Sequence, residues 1–166
     1  NKIDGTTRIP EMIFTAANRP LSVLENRTYL PVAARKAPEF LSQYSDKGFF
    51  LMIEGSQIDW AGHANEPQNL LLEMKDFNKS IEYVIDFVNK DKETLLIITA
   101  DHETGGMAIN KGSKVGNLKL AFTANDHTGT MVPVFAYGAG AERFRGIYDN
   151  TEIYHKMRQA LGWEKE

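Results

Sequence analysis

Three apolar runs in this chain each lead into a pairing of carboxylate with imidazole, and no other feature limits the fold as much. Phe49–Ile53 runs into Glu54, and a short loop then supplies Asp59 and, four residues on, His63. Thr94–Ala100 runs into Asp101-His102, and Leu120–Ala124 is followed by Asn125-Asp126-His127. Continuous apolar runs of this length read as strands buried on both faces of a sheet. The stretch between the first two, from Asn65-Glu66-Pro67 to about Asn89, reads as one amphipathic helix. Asn65 is its cap, Pro67 lies in its first turn, and Leu70, Met74, Phe77, Ile81, Val84, Ile85 and Val88 form its apolar stripe. Strands alternating with helices predict an α/β fold, a mostly parallel sheet flanked by helices. Ligands of such sheets sit beyond the carboxyl ends of the strands, where Glu54, Asp101 and His127 all fall.

The remaining elements are read more coarsely. Val32–Tyr44 has a helical stripe of Ala33, Ala37, Phe40, Leu41 and Tyr44, interrupted by Pro38. Met107–Ile109, Leu118–Thr123 and Val132–Tyr137 are strand candidates, with Lys111–Lys114 a loop between the first two. Asp149-Asn150-Thr151 starts a last helix bearing Ile153, Tyr154, Met157 and Leu161, and Gly162 stops it. Residues 1–30 are poorly assigned: Glu11–Ala16 reads as a strand and Asn18-Arg19-Pro20 as a turn. With 166 residues the chain is one domain's worth. Its opening, Asn1-Lys2-Ile3-Asp4, reads as a cut inside a longer chain.

The charge of -3 offers no basic footprint for nucleic acid, and no apolar run approaches the ~18 residues of a membrane span. With no cysteine, a metal has only imidazole and carboxylate to bind. That donor set suits catalytic Zn²⁺, with Mn²⁺ and Fe²⁺ as competitors. Taken singly, each Asp-His pairing is an unremarkable loop feature. Jointly they weigh more, because three of the 4 histidines lie in acidic segments beside apolar runs. The fourth, His155, reads as a histidine on the surface of the last helix. In a helical turn, Asp59 and His63 share one face. Asp126 reads as a loop residue supporting a ligand more than as a ligand itself.

In their order, EGSQIDWAGH, TADHETGG and NDHTG, followed by VPVFAYG and TEIYHKMRQALG, resemble the C-terminal portion of an alkaline phosphatase. The resemblance covers about Leu30 to Gly162. It implies that residues 1–166 are part of one alkaline phosphatase domain. It makes Asp59, His63 and His127 the ligands of one zinc, Asp101 and His102 ligands of a second, and Glu54 a ligand of magnesium. Trp60, Thr104, Asp126 and Thr128 then stand around those ligands. The activity implied is hydrolysis of phosphate monoesters through a phosphoenzyme, in a homodimer of the periplasm or cell exterior, with inorganic phosphate released. The family's nucleophile lies in a D-S-A type segment, which this sequence does not contain, so no nucleophile is assigned and the chain alone is expected to be inactive. Two alternatives remain: a non-catalytic metal-binding or interaction domain, and a related superfamily enzyme such as a phosphodiesterase, sulfatase or phosphoglycerate mutase.

Overall fold

The computed structural model describes residues 15–163. A long helix, α3 (Pro67–Asp91), is the spine; α1 (Leu30–Leu41) and α2 (Gln57–His63) pack against it. Small strands follow: β1 (Leu95–Ile98), β2 (Glu103–Thr104), β3 (Ala108–Ile109), β4 (Leu120–Ala121), β5 (His127–Thr128) and β6 (Phe135–Gly138), before α4 (Glu152–Ala160). The α/β character expected from the sequence is present. Its pairing is different: the ladders are β1–β6, β2–β5 and β3–β4, and all three are antiparallel. Residues 49–53 join no ladder, so the parallel neighbour expected for β1 is absent among the described residues. Nor are they buried on both faces. Phe50 and Met52 are 69% and 76% exposed, alternating with half-buried Phe49, Leu51 and Ile53, the period-two pattern of a one-sided strand. Residues 11–14 of the expected first strand lie outside the described residues, and residues 15–19 form bends.

α1 begins two residues early and buries a face offset from the expected one. Pro31, Ala34 and Pro38 are inside, whereas Ala33 is exposed. Pro38 stays within the helix, which continues to Leu41. α3 matches its expected span, but Glu66 rather than Asn65 is its cap. Asn65, at φ 53°, closes the last turn of α2 through its N–H to the Gly62 carbonyl. Along α3 the buried residues are Leu70, Glu73, Ser80 and Val88, so two polar side chains from outside the expected stripe lie inside, while Met74 of that stripe is exposed. Glu73 is there for a reason. It accepts from the Arg27 guanidinium at 2.7 Å and from the Val23 N–H at 2.6 Å, and Asp76 takes the same guanidinium at 2.6 Å. This triad fastens the 3-10 turn Val23–Glu25 to the spine; Ser22 and Glu25 cap that turn reciprocally. Burial pushes the Arg27 pKa down, but the hydrogen bonds it donates to Asp76 and Glu73 outweigh it and raise the pKa above its ordinary value.

α4 ends as the sequence predicts. Gly162 adopts φ 69°, its N–H meets the Gln159 carbonyl, and the Trp163 N–H reaches Arg158, the Schellman arrangement. Of its expected stripe, Ile153 and Met157 are half-buried while Tyr154 and Leu161 are exposed. His155 is exposed on this helix and meets the Tyr154 ring edge-on.

Candidate metal centre

α2 provides the first two groups. Its single run of turns puts Asp59 and His63 on one face, with Asp59 Oδ1 3.5 Å from His63 Nε2. β5 brings His127 to the same point: its Nε2 lies 3.1 Å from His63 Nε2 and 3.7 Å from Asp59 Oδ1. Three donor atoms thus form a triangle with edges of 3.1, 3.5 and 3.7 Å. A tetrahedral ion with bonds of about 2.0–2.2 Å needs ligand atoms about 3.3–3.6 Å apart, so this spacing fits one.

Two neighbours fix the ring orientations. His63 Nδ1 is 2.8 Å from the Asn125 carbonyl. A carbonyl only accepts, so Nδ1 carries a proton and Nε2 is the nitrogen aimed at Asp59 and His127. Thr104 orders the other side. Its hydroxyl donates to Asp59 Oδ1 at 2.6 Å, leaving its oxygen to accept from His102 Nδ1 at 3.2 Å. That leaves His102 Nε2 as the ring nitrogen facing Asp101, 3.2 Å from its Oδ2. The His102 ring stacks on His127, centroids 3.5 Å apart and 20° from parallel. His102 also groups with Asp59 and His127, and Asp126 with His63 and His127, each set with donor atoms within 4.8 Å. Asp126 thus reaches nearer the centre than the sequence suggested, while its Oδ1 accepts from the His127 N–H at 2.8 Å.

The remaining sequence candidates are placed as follows. Asp101, 85% exposed at its side chain, stands outside both groups and touches only His102 among the described ligands. Glu54 is exposed and has no hydrogen-bond or ion-pair partner among the described residues, which corrects the expectation of a carboxylate forced into partnership by burial. The reason is the solvent on one side of residues 49–53. Trp60, 54% exposed, points away from the core with the Arg19 guanidinium 5.9 Å from its ring centre. Thr128 donates to Glu103.

Close backbone approach holds these pieces together. A Cβ on Gly62 would come within 3.0 Å of the Thr104 side chain, and one on Gly105 within 2.9 Å of the Gly62 carbonyl. Gly105 also has φ +89°, so no L-residue fits it without strain. Two contributors escaped the sequence: Asn125, which acts through its backbone, and Glu103. The Glu103 pKa is lowered chiefly by the Thr128 hydroxyl, then by the Met107 N–H, with burial opposing.

Helices packed beside small sheets, with a His–carboxylate cluster at ligand spacing, define a partial α/β fold that carries a candidate metal centre. Residues 29–121 and 116–163 match the family model described as Alkaline phosphatase, and the chain belongs to that family. Alkaline phosphatase 4 of Bacillus subtilis (strain 168) is 33% identical, over 64% of this chain and 38% of that protein. Alkaline phosphatase of Escherichia coli (strain K12) is 32% identical, over 76% of this chain and 30% of that protein. The alkaline phosphatase of the Antarctic bacterium TAB5 superposes with a TM-score of 0.72 at 44% identity, covering 82% of this chain and 42% of that one. A variant of the TAB5 enzyme with Mg bound in its M3 site reaches a TM-score of 0.79 at 40% identity, over 87% and 45% of the two chains. The chain therefore spans less than half the length of each of these relatives. No helix among the described residues is long and apolar enough to cross a membrane.

Proposed function

We propose that residues 1–166 form the metal-ligating part of a single alkaline phosphatase domain that hydrolyses phosphate monoesters and releases inorganic phosphate. One observation carries this reading: the triangle of Asp59 Oδ1, His63 Nε2 and His127 Nε2, its edges 3.1–3.7 Å long. Asp59, His63 and His127 would hold one zinc. Asp101 and His102, whose donor atoms are 3.2 Å apart, would contribute to a second. Glu54, exposed and unpartnered among the described residues, would serve a magnesium such as the one bound in the TAB5 variant. When bound, such ions polarise phosphoryl oxygens and generate a nucleophile at neutral pH.

The chain's own residues do the preparatory work. Asn125 and Thr104 hold His63 and His102 in the tautomers that present Nε2, and Thr104 also orients the Asp59 carboxylate. Side-chain exposures of 38% and 46% at His63 and His127 leave the cluster open to a phosphate ester from solvent. The parent enzyme is proposed to act as a homodimer in the periplasm or outside the cell. Exposed Phe135 and Tyr137 on one face of β6 suit burial against further protein.

The sequence contains no D-S-A type segment, so this chain alone is inactive on this reading. The test is p-nitrophenyl phosphate turnover with zinc and magnesium, run beside ³¹P NMR of inorganic phosphate. Expected are no turnover and a phosphate signal that broadens only with zinc and only while Asp59 is intact. Metal-dependent turnover abolished by Asp59→Ala would contradict the inactivity. A phosphate signal indifferent to zinc would contradict the site.

A further inference from the structure

We propose that Glu103 is a positioning residue, a carboxylate clamp that sets His102 against His127 across the shortest ladder in the site. The inference rests on the metal-centre reading above and extends it to a residue that touches none of the ligand atoms. β2 and β5 share only two residue pairs, Glu103 with Thr128 and Thr104 with His127. A ladder so short has few backbone hydrogen bonds of its own, yet it must hold two imidazole rings at 3.5 Å.

Side chains alternate along β2, so His102 and Thr104 face the cluster and Glu103 faces the opposite side. There its Oε2 accepts from the Gly106 N–H at 3.0 Å and from the Thr128 hydroxyl, while Oε1 accepts from the Met107 N–H at 3.0 Å. One carboxylate therefore joins the turn after β2 to the residue beside His127. The backbone completes the frame: the Gly105 N–H meets the Asp126 carbonyl, and the Gly105 carbonyl accepts from Thr123 and Ala124. Hydrogen bonds to an ionised acceptor are about twice as strong as neutral ones, so the clamp is stiffer than the ladder it braces. A glutamine keeps the shape but has one accepting oxygen for three donors. Thr128 needs only its hydroxyl, which serine also has and valine lacks.

The test reads ring stacking in the metal-free chain by ¹H–¹³C correlation of the histidine Cε1–H signals, with far-UV circular dichroism reporting the fold. Glu103→Gln and Thr128→Val are expected to move the His102 and His127 signals toward those of an unstacked imidazole. Thr128→Ser should leave them in place. Zinc calorimetry on the same set should show about a tenfold or greater loss of affinity in the first two and near-native affinity in the serine variant. Ring signals unchanged in Thr128→Val overturn the clamp, and this comparison decides even where Glu103→Gln fails to fold. Ring signals that move as expected in a chain that binds no zinc uphold the clamp and refute the metal reading instead.

Discussion

Replacing Arg27 with methionine tests how the spine is fastened. The Arg27 side chain is 3% exposed and Glu73 is 1% exposed, with Asp76 at 16%. Methionine fills most of the space but withdraws the only cation that pairs with these two carboxylates among the described residues. Breaking a buried ion pair by removing one partner costs about 3–5 kcal/mol, mostly from the charge left behind. The native triad is itself imperfect, since Arg27 Nε is buried with no hydrogen-bond partner among the described residues. That places the expected loss near the lower figure, about 3 kcal/mol. For a chain of this size each kcal/mol moves Tm by about 2–4 °C, so Tm should fall by about 6–12 °C. The assay is thermal unfolding followed by circular dichroism at neutral pH. A companion variant, Arg27→Met with Glu73→Leu and Asp76→Leu, removes the orphaned charges and should regain much of the loss, because apolar replacement of a buried ionic group is often neutral. A fall of less than 2 °C in the single variant, or a triple variant no better than the single, refutes the reasoning.

Thr104→Val removes the hydroxyl that orients Asp59 and pairs His102. Calorimetry should show zinc affinity lowered by about tenfold, with Tm nearly unchanged; native affinity would contradict the role. Glu25, whose pKa is lowered from 4.5 to about 2 by the Ser22 N–H and the Arg19 guanidinium, stabilises the fold fully above pH 4.5. That contribution should fade as pH falls toward about 2, since the unfolded chain takes up the proton first. Urea midpoints across this range should therefore fall less steeply in Glu25→Gln than in the native chain, and equal slopes would contradict the assignment. Gly105→Ala forces a Cβ to within 2.9 Å of the Gly62 carbonyl at a φ of +89°. It should cost about 1–3 kcal/mol in urea unfolding, and an unchanged midpoint would show that the α2–β2 approach is slack.

The legible part of this molecule was the local part. Spacing of four residues put Asp59 and His63 on one helical face, and that face exists. The apolar period of α3 and the glycine stop of α4 were equally direct, because neighbours along the chain decide them. What the sequence concealed depends on partners distant in the chain. Glu73 and Ser80 look like solvent positions until Arg27, 46 residues away, supplies a reason for Glu73 to be inside. β2 and β5 are two residues each and have no period to detect. The burial expected around Glu54 failed because an apolar run was equated with burial on both faces, whereas Phe50 and Met52 face solvent. Glu103 was overlooked between two residues that attracted attention for their own chemistry, though a Glu placed just before Thr-Gly-Gly was visible as a carboxylate beside a turn.

The central claim is that Asp59, His63 and His127 form one preassembled metal site. Zinc titration by calorimetry in a non-chelating buffer tests it, comparing the native chain with Asp59→Ala, His63→Ala and His127→Ala. The account predicts one tight equivalent in the native chain that is lost or greatly weakened in all three variants. Tight binding that survives any one of these substitutions, or no binding by the folded native chain, would contradict it.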